Sequence, residues 1–380
     1  MKYRVISADC HIDLPWLPSD LFTANASKAL KERMPYVTDS DNGPVWVSKS
    51  GAYFGLQNGM GSGGREYIPG QIHRSDIMAA EGLYEDGKNG IRRLTDPALR
   101  IKDQDRDGIQ AEVLFGILGA SQRLNDAEAA TEMMRIYNDW LADFCASEPN
   151  RFAGLVSIPN FDITVANAEI NRVVKRGVLR GLEVANSWDM KPLFDPHWDL
   201  LWKAVSESGL PLHFHTIGAK QPDFESMSPF QARKAHAVYI TGFQLGMAQI
   251  LMEIIYSGVL ETYPSLQVVI AESGIGWIPY ILDRMNLEWE EQYKDLTLTM
   301  KPTEYWHRQC RATYQSDEIG IRLLDILGED NVMWGSDFPH PDGVWPDSQS
   351  FIEKELGHLT DETRHRIVCG NAAKLYGFDL

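Results

Sequence analysis

Trp334-Gly335-Ser336-Asp337-Phe338-Pro339-His340 near the C-terminus and Asp9-Cys10-His11 near the N-terminus decide how the rest of this chain is read. Each stretch closes a short apolar run with polar residues. A buried strand that delivers a carboxylate or an imidazole at its last position is how parallel barrels present metal ligands and bases at their C-terminal face. The two stretches lie at opposite ends of a 380-residue chain. They can serve one site only if the first and last strands are neighbours, as in a closed barrel.

Working outward, eight short apolar runs with β-branched or aromatic character end near polar residues. They are Val5–His11, Ala111–Gly116, Phe152–Pro159, Gly181–Asn186, Pro211–Thr216, Val268–Ser273, Ala312–Asp317 and Val332–Asp337. Helical spacing of apolar residues fills most of the gaps, over Ala127–Ser147, Thr164–Arg176, Pro196–Glu207, Gly242–Tyr263, Trp277–Tyr293 and Glu318–Leu327. A last helix is expected within Asp361–Leu380, ending near Tyr376-Gly377. Strands alternating with helices imply a parallel sheet, and eight of them favour an α/β fold of the (β/α)8 TIM-barrel type. The rival, a doubly wound sheet, calls for a Gly-rich phosphate turn after an early strand, and the sequence has none. Residues from about 17 to 100 interrupt the alternation with Asn42-Gly43-Pro44 and Gly59-Met60-Gly61-Ser62-Gly63-Gly64. This segment reads as a partly irregular insertion after the first strand of a single domain spanning 1–380, placed to cap the barrel mouth.

Composition narrows the function classes. The net charge of −17 disfavours a phosphate-backbone partner and leaves a small-molecule substrate as the expected ligand. Four cysteines without CxxC spacing, no apolar leader after Met1 and no apolar run of membrane-spanning length point to a reduced, cytoplasmic setting away from membranes.

The strand ends carry the chemistry. Asp9 and His11 are two apart, so on a strand both face the same way. His213 and His215 repeat that spacing, with His215 nearer the mouth and His213 one layer deeper, as a core histidine or a substrate contact. Asp337 ends the eighth run and can ligate a metal or accept a proton. Asp9, His11, His215 and Asp337 form a mixed nitrogen and oxygen set that suits one divalent metal ion, with zinc expected ahead of manganese or iron. Glu272 ends the sixth run as an acid/base candidate or a salt-bridge partner. His340, between two prolines, either orients Asp337, touches substrate or is a turn histidine. Asn186 ends the fourth run as a pocket residue, and Trp16, Trp188 and Trp277 either wall the pocket or pack in the core. No GxSxG elbow supports a serine hydrolase.

Ser7-Ala8-Asp9-Cys10-His11, the Leu212–Thr216 strand, Glu272-Ser273-Gly274-Ile275-Gly276-Trp277-Ile278-Pro279, Gly335-Ser336-Asp337-Phe338-Pro339-His340 and Gly370-Asn371-Ala372-Ala373-Lys374-Leu375-Tyr376 together resemble the amidohydrolase superfamily. The branch is the amidohydrolase-2 group, which contains aminocarboxymuconate semialdehyde decarboxylase. The resemblance implies a (β/α)8 barrel, a homodimer, and one divalent metal held by Asp9, His11, His215 and Asp337. Decarboxylase members usually carry a catalytic histidine after the sixth strand, where this chain has Glu272. Because a glutamate does not supply an imidazolium, the expectation is a hydrolase using metal-activated water on an ester, lactone or amide, with Asp337, Glu272 and His215 as catalytic groups. A non-oxidative decarboxylase of an aromatic or muconate-like acid is the alternative.

Overall fold

The eight apolar runs become eight parallel strands of one sheet, in chain order: β1 (Ile6–His11), β2 (Ala111–Phe115), β3 (Phe152–Ile158), β4 (Gly181–Val184), β5 (Leu212–His215), β6 (Val268–Ala271), β7 (Cys310–Tyr314) and β8 (Val332–Trp334). The structure is a computed structural model describing residues 3–187, 189–216 and 222–379. Every strand residue except Arg311 is buried. Burial on both faces explains why the runs read as continuously apolar: the inner face fills the barrel and the outer face meets the helices.

Closure of the barrel departs from a simple ladder. β8 ends at Trp334, and the chain beyond it seals the seam. Asp337 donates its N–H to the Asp9 carbonyl at 2.9 Å, and His11 donates to the Phe338 carbonyl at 2.8 Å. The Ser336 N–H reaches Ser7 Oγ at 2.8 Å. Gly335 is needed at this seam, because a Cβ there would lie 2.5 Å from that of Asp9. The eighth run was expected to stay extended through Asp337. Instead Asp337 adopts φ +55°, and Glu272, just past β6, adopts φ +48°. Left-handed backbone is costly for residues other than glycine and collects at functional sites.

The helix Ala127–Ser147 lies where its spacing predicts, with the Asp126 side chain capping it through Ala129 N–H. The helix expected over Gly242–Tyr263 begins much earlier. Pro229–Gly242, Phe243–Leu245 and Gly246–Tyr256 follow one another without interruption, started by a Ser228/Gln231 capping box. Pro229–Gly242 buries no residue, so it carries no apolar stripe for a periodicity to reveal. The joined stretch of 28 residues is long and apolar enough to reach membrane-spanning length, which corrects the reading that no run does. Four of its side chains, His236, Tyr239, Ile240 and Phe243, instead line the cavity above the barrel.

Residues 17–100 hold more regular structure than their glycine content suggests. Tyr36–Thr38, Val45–Val47 and Tyr53–Leu56 form a three-stranded antiparallel sheet, followed by helices His73–Ala80 and Leu83–Lys88. The glycines serve close backbone contact: a Cβ on Gly55 would sit 2.1 Å from the Gly63 carbonyl oxygen.

Beneath β2, the helix Pro97–Asp107 ends on Asp107, whose carboxylate accepts the Ser348 N–H at 2.8 Å. Burial pushes the Asp107 carboxyl up to about 7. The folded chain therefore keeps a proton that the unfolded chain gives up near pH 4, so this group lowers stability as pH rises from about 4 to 7. Asp107→Asn removes that titration. Urea midpoints at pH 5 and pH 8 are expected to differ less in the variant than in the parent, with a gain at pH 8 of up to roughly 4 kcal/mol. The same pH dependence in both proteins would show that Asp107 titrates normally.

Candidate metal centre and cavity

Asp9 and His11 alternate on β1 to the same inner face, and a bulge between Ser7 and Cys10 adjusts their aim. His215 ends β5. Glu272 and Asp337, both in left-handed backbone, turn their side chains toward this group. His11 Nε2 lies 3.0 Å from Asp337 Oδ1 and 3.3 Å from Asp9 Oδ1. His215 Nε2 lies 3.6 Å from Asp9 Oδ1 and 3.5 Å from Glu272 Oε2.

These atoms are close without being bonded to one another. Among the described residues, Asp9 Oδ1, both ring nitrogens of His11 and of His215, and both carboxylate oxygens of Asp337 are buried with no hydrogen-bond partner. Seven bare polar atoms in one buried cluster would cost several kcal/mol each. Lone pairs converging on a shared point fit a cation, and candidate ligand atoms of Asp9, His11 and His215 lie within 4.8 Å of each other. Two imidazoles and two carboxylates are a donor set for a divalent transition metal.

Supporting groups fix the cluster. Asp9 Oδ2 accepts from Thr313 Oγ1 at 2.7 Å and from the Glu272 N–H at 3.0 Å, leaving Oδ1 to point inward. Asn186 donates to the His215 carbonyl at 2.6 Å and accepts its N–H at 3.3 Å, so it holds the end of β5 and also borders the cavity. His340 is wedged between Asp13 Oδ2, 2.9 Å from Nε2, and Asp337 Oδ1, 3.0 Å from Nδ1, and stacks on His11 with centroids 4.0 Å apart.

The electrostatics follow from burial and these neighbours. Burial opposes charge on His340, but Asp337 and Asp13 outweigh it and hold the imidazole well above its usual range. His11 is raised to about 9, because Asp337 and Asp9 overcome burial and the repulsion of His340. Burial lowers His215. Burial would raise Asp9, but His11 and His215 bring it down. Glu272 moves the other way: burial, then the charges of Asp337, Asp342 and Asp9, push its carboxyl well up.

Above the cluster opens a cavity of about 820 Å³. Glu272 and His340 both line it and touch the cluster. Ile117, Leu118, Phe224, Tyr239 and Phe243 supply apolar wall, and Arg65 and Arg123 supply positive charge.

Two residues expected at the substrate are elsewhere. His213 has both ring nitrogens occupied, by the Leu182 carbonyl and Tyr376 Oη, each at 2.8 Å, and burial lowers it to about 4. It is a wall histidine of the barrel. Trp16 donates to the Gly59 carbonyl at 2.9 Å and packs where the insertion meets the barrel. Trp277 donates to the Ser273 carbonyl at 2.7 Å and is not among the cavity residues. Trp188 lies outside the described residues. Asp13 and Thr313 were missed. Asp13 had a signal, since Asp9, His11 and Asp13 continue one two-residue alternation. Thr313 had none.

The profile of the family described as Amidohydrolase matches residues 8–378. Among curated relatives, 2-amino-3-carboxymuconate-6-semialdehyde decarboxylase of Dictyostelium discoideum is 23% identical over 75% of this chain and 77% of its own. Gamma-resorcylate decarboxylase of a Polaromonas species is 24% identical over 73% and 86% respectively. Among solved structures, a dihydroxybenzoic acid decarboxylase from Polaromonas, with bound manganese and the inhibitor 2-nitroresorcinol, superposes with a TM-score of 0.61. It is 22% identical, covering 80% of this chain and 93% of that one. These relatives are decarboxylases, which overturns the hydrolase expectation. That expectation rested on the lack of a histidine at position 272. The structure places the imidazole of His340 in the same cavity, and burial with the charges of Asp337, Asp342 and Asp9 pushes the Glu272 carboxyl upward.

Proposed function

The chain belongs to the amidohydrolase family, and from that membership and the geometry of the site we propose that it is a metal-dependent, non-oxidative decarboxylase of a small carboxylated aromatic or muconate-like acid. The observation that carries the reading is the bare buried cluster of Asp9, His11, His215 and Asp337, opening past Glu272 into a cavity with apolar walls. A divalent ion held by those four residues, with manganese, zinc and iron as candidates, would supply positive charge to bind and orient the oxygens of an acidic substrate.

The rest of the chemistry falls to the chain. The bond between the ring or chain carbon and the carboxylate breaks, carbon dioxide leaves, and the electron pair stays on carbon, where one proton must be delivered. Glu272 is placed to give it, because its carboxyl lines the cavity beside the cluster, with Oε2 3.5 Å from His215 Nε2. Asp13 fixes the His340 ring through Nε2, which sets Nδ1 3.0 Å from Asp337 Oδ1, where its charge faces that carboxylate. Ile117, Leu118 and Phe243 exclude water and hold the flat body of the substrate. The homodimer implied by the resemblance belongs to this proposal. Phe230, Val238 and Leu245, exposed along the helices beside the cavity, are apolar surface available to it.

The test uses protein loaded with manganese or zinc, under nitrogen and without nicotinamide, against a panel of hydroxybenzoates and unsaturated dicarboxylic acids. One carbon dioxide per acid consumed is expected. Glu272→Gln should keep its metal and lose on the order of 10²–10⁴ in kcat. Turnover of an ester or lactone panel with no carbon dioxide from any acid would overturn the reading.

A further inference from the structure

We infer that a second cleft, outside the barrel mouth, binds a small α-amino acid with an apolar side chain, its ammonium group on Glu355 and its carboxylate on Lys354. The site is independent of the reaction at the metal centre.

The cleft measures about 360 Å³ and lies between the helix Glu318–Arg322, which follows β7, and the helix Ser348–Leu356, which follows β8. It shares no lining residue with the cavity above the metal centre. Its wall includes Glu355, which is 9% exposed. Oε1 of that carboxylate accepts the Asp317 N–H, and Asp317 in turn accepts the Ile275 and Gly276 N–H groups at 2.7 Å each. This structural task occupies one oxygen. Oε2 is buried with no hydrogen-bond partner. Among the described residues, every other buried carboxylate oxygen left bare belongs to Asp9, Asp13 or Asp337, at the metal centre. A buried carboxylate oxygen is costly unless a donor meets it.

The surroundings say what kind of donor fits. Burial, aided by the charges of Asp317 and Glu318 and opposed by the Asp317 N–H and Lys354, pushes the Glu355 carboxyl up to about 7. A cation at Oε2 relieves the repulsion among these carboxylates. Arg322, also in the cleft, is already paired with Glu318. Lys354 is exposed at the rim and makes no ion pair among the described residues, so a carboxylate beside the incoming cation has a partner. Ile321, which is buried, and Phe351 give the cleft its apolar lining. Opposite charges on either side of apolar surface match a zwitterion with an apolar side chain. A plain amine leaves Lys354 unanswered, and a plain acid leaves Glu355 unanswered.

Calorimetric titration of the metal-loaded protein at pH 8 tests this, with leucine, isocaproate, which lacks the amino group, and isoamylamine, which lacks the carboxylate. The parent is expected to bind leucine with a Kd of about 1 mM or tighter, and each truncated ligand at least about tenfold more weakly, the size of one charge-assisted contact. Glu355→Gln keeps an oxygen for the Asp317 N–H and should weaken leucine at least about tenfold with the fold intact by circular dichroism. Lys354→Met, at an exposed position, should bring leucine down to the affinity of isoamylamine. His215→Ala should bind leucine within about twofold of the parent, because distant sites act independently. No saturation by leucine, or equal affinity in Glu355→Gln and the parent, would overturn the site. Loss of leucine binding in His215→Ala would assign the ligand to the metal centre and overturn it as well. Isoamylamine bound as tightly as leucine would overturn the amino acid in favour of a simple amine. None of these outcomes depends on whether any acid releases carbon dioxide.

Discussion

His215→Ala is expected to purify with little or no divalent metal and to lose more than about 100-fold in activity. Loss of a group that merely orients a ligand costs about 10–100-fold in metal affinity or activity, and His215 is placed as a ligand itself. Its imidazole is buried with both nitrogens bare, so removing it deletes one of the four groups that converge on the cluster. The backbone of β5 should survive, because Asn186 holds His215 through main-chain atoms that alanine retains. Elemental analysis beside the parent checks the first point, and circular dichroism checks the fold. A second readout is independent of activity. Metal that binds only the folded chain stabilises it by about 2.7 kcal/mol at a hundredfold excess over Kd, so added manganese should raise the parent's melting temperature and leave that of His215→Ala unmoved. Equal metal content in the two proteins would remove this cluster as the metal centre.

The residues of that cluster were legible because parallel barrel strands are buried on both faces and so announce themselves as short apolar runs, and the polar residue at each end stands out. Asp9, His11, His215 and Asp337 all follow from that pattern. What was not legible depends on neighbours distant in sequence. Thr313 matters because its hydroxyl meets Asp9, 304 residues away. His213 has the same spacing as a ligand and is a wall residue because Tyr376 reaches it. The reaction was misread for a related reason. A glutamate at position 272 was judged by residue type, whereas burial and three nearby carboxylates push its carboxyl upward. The helix Pro229–Gly242 was invisible because it faces no core, and a periodicity records only what is buried. The glycines of residues 59–64 spoke for irregular chain, but part of that run lies against Gly55 at the edge of a small sheet.

Arg100→Met is expected to destabilise the fold by about 3–5 kcal/mol, the cost of stranding a buried charge, and to lower the melting temperature by on the order of 5 °C for a chain of this length. Arg100 and Glu112 are both buried, with Nε donating to Oε2 at 2.6 Å. The same guanidinium donates to the His11 carbonyl at 2.9 Å and to the Leu94 carbonyl at 3.3 Å, and lies over the Phe338 ring at 5.2 Å. One side chain thus joins the helix Pro97–Asp107 to β2, to the end of β1 and to the stretch that seals the barrel. Removing it leaves the Glu112 carboxylate without its partner and frees the carbonyl of a candidate metal ligand. The double variant Arg100→Met with Glu112→Met separates these effects. If the stranded charge dominates, the double variant recovers most of the stability lost by the single one, since a buried ion pair and an apolar pair of similar volume are close in free energy. Metal content then reports on the His11 carbonyl alone: a stable double variant that still loses metal shows that Arg100 holds His11 in position. A single variant within about 1 kcal/mol of the parent, or a double variant as unstable as the single, would show that the pair does not carry this corner of the barrel.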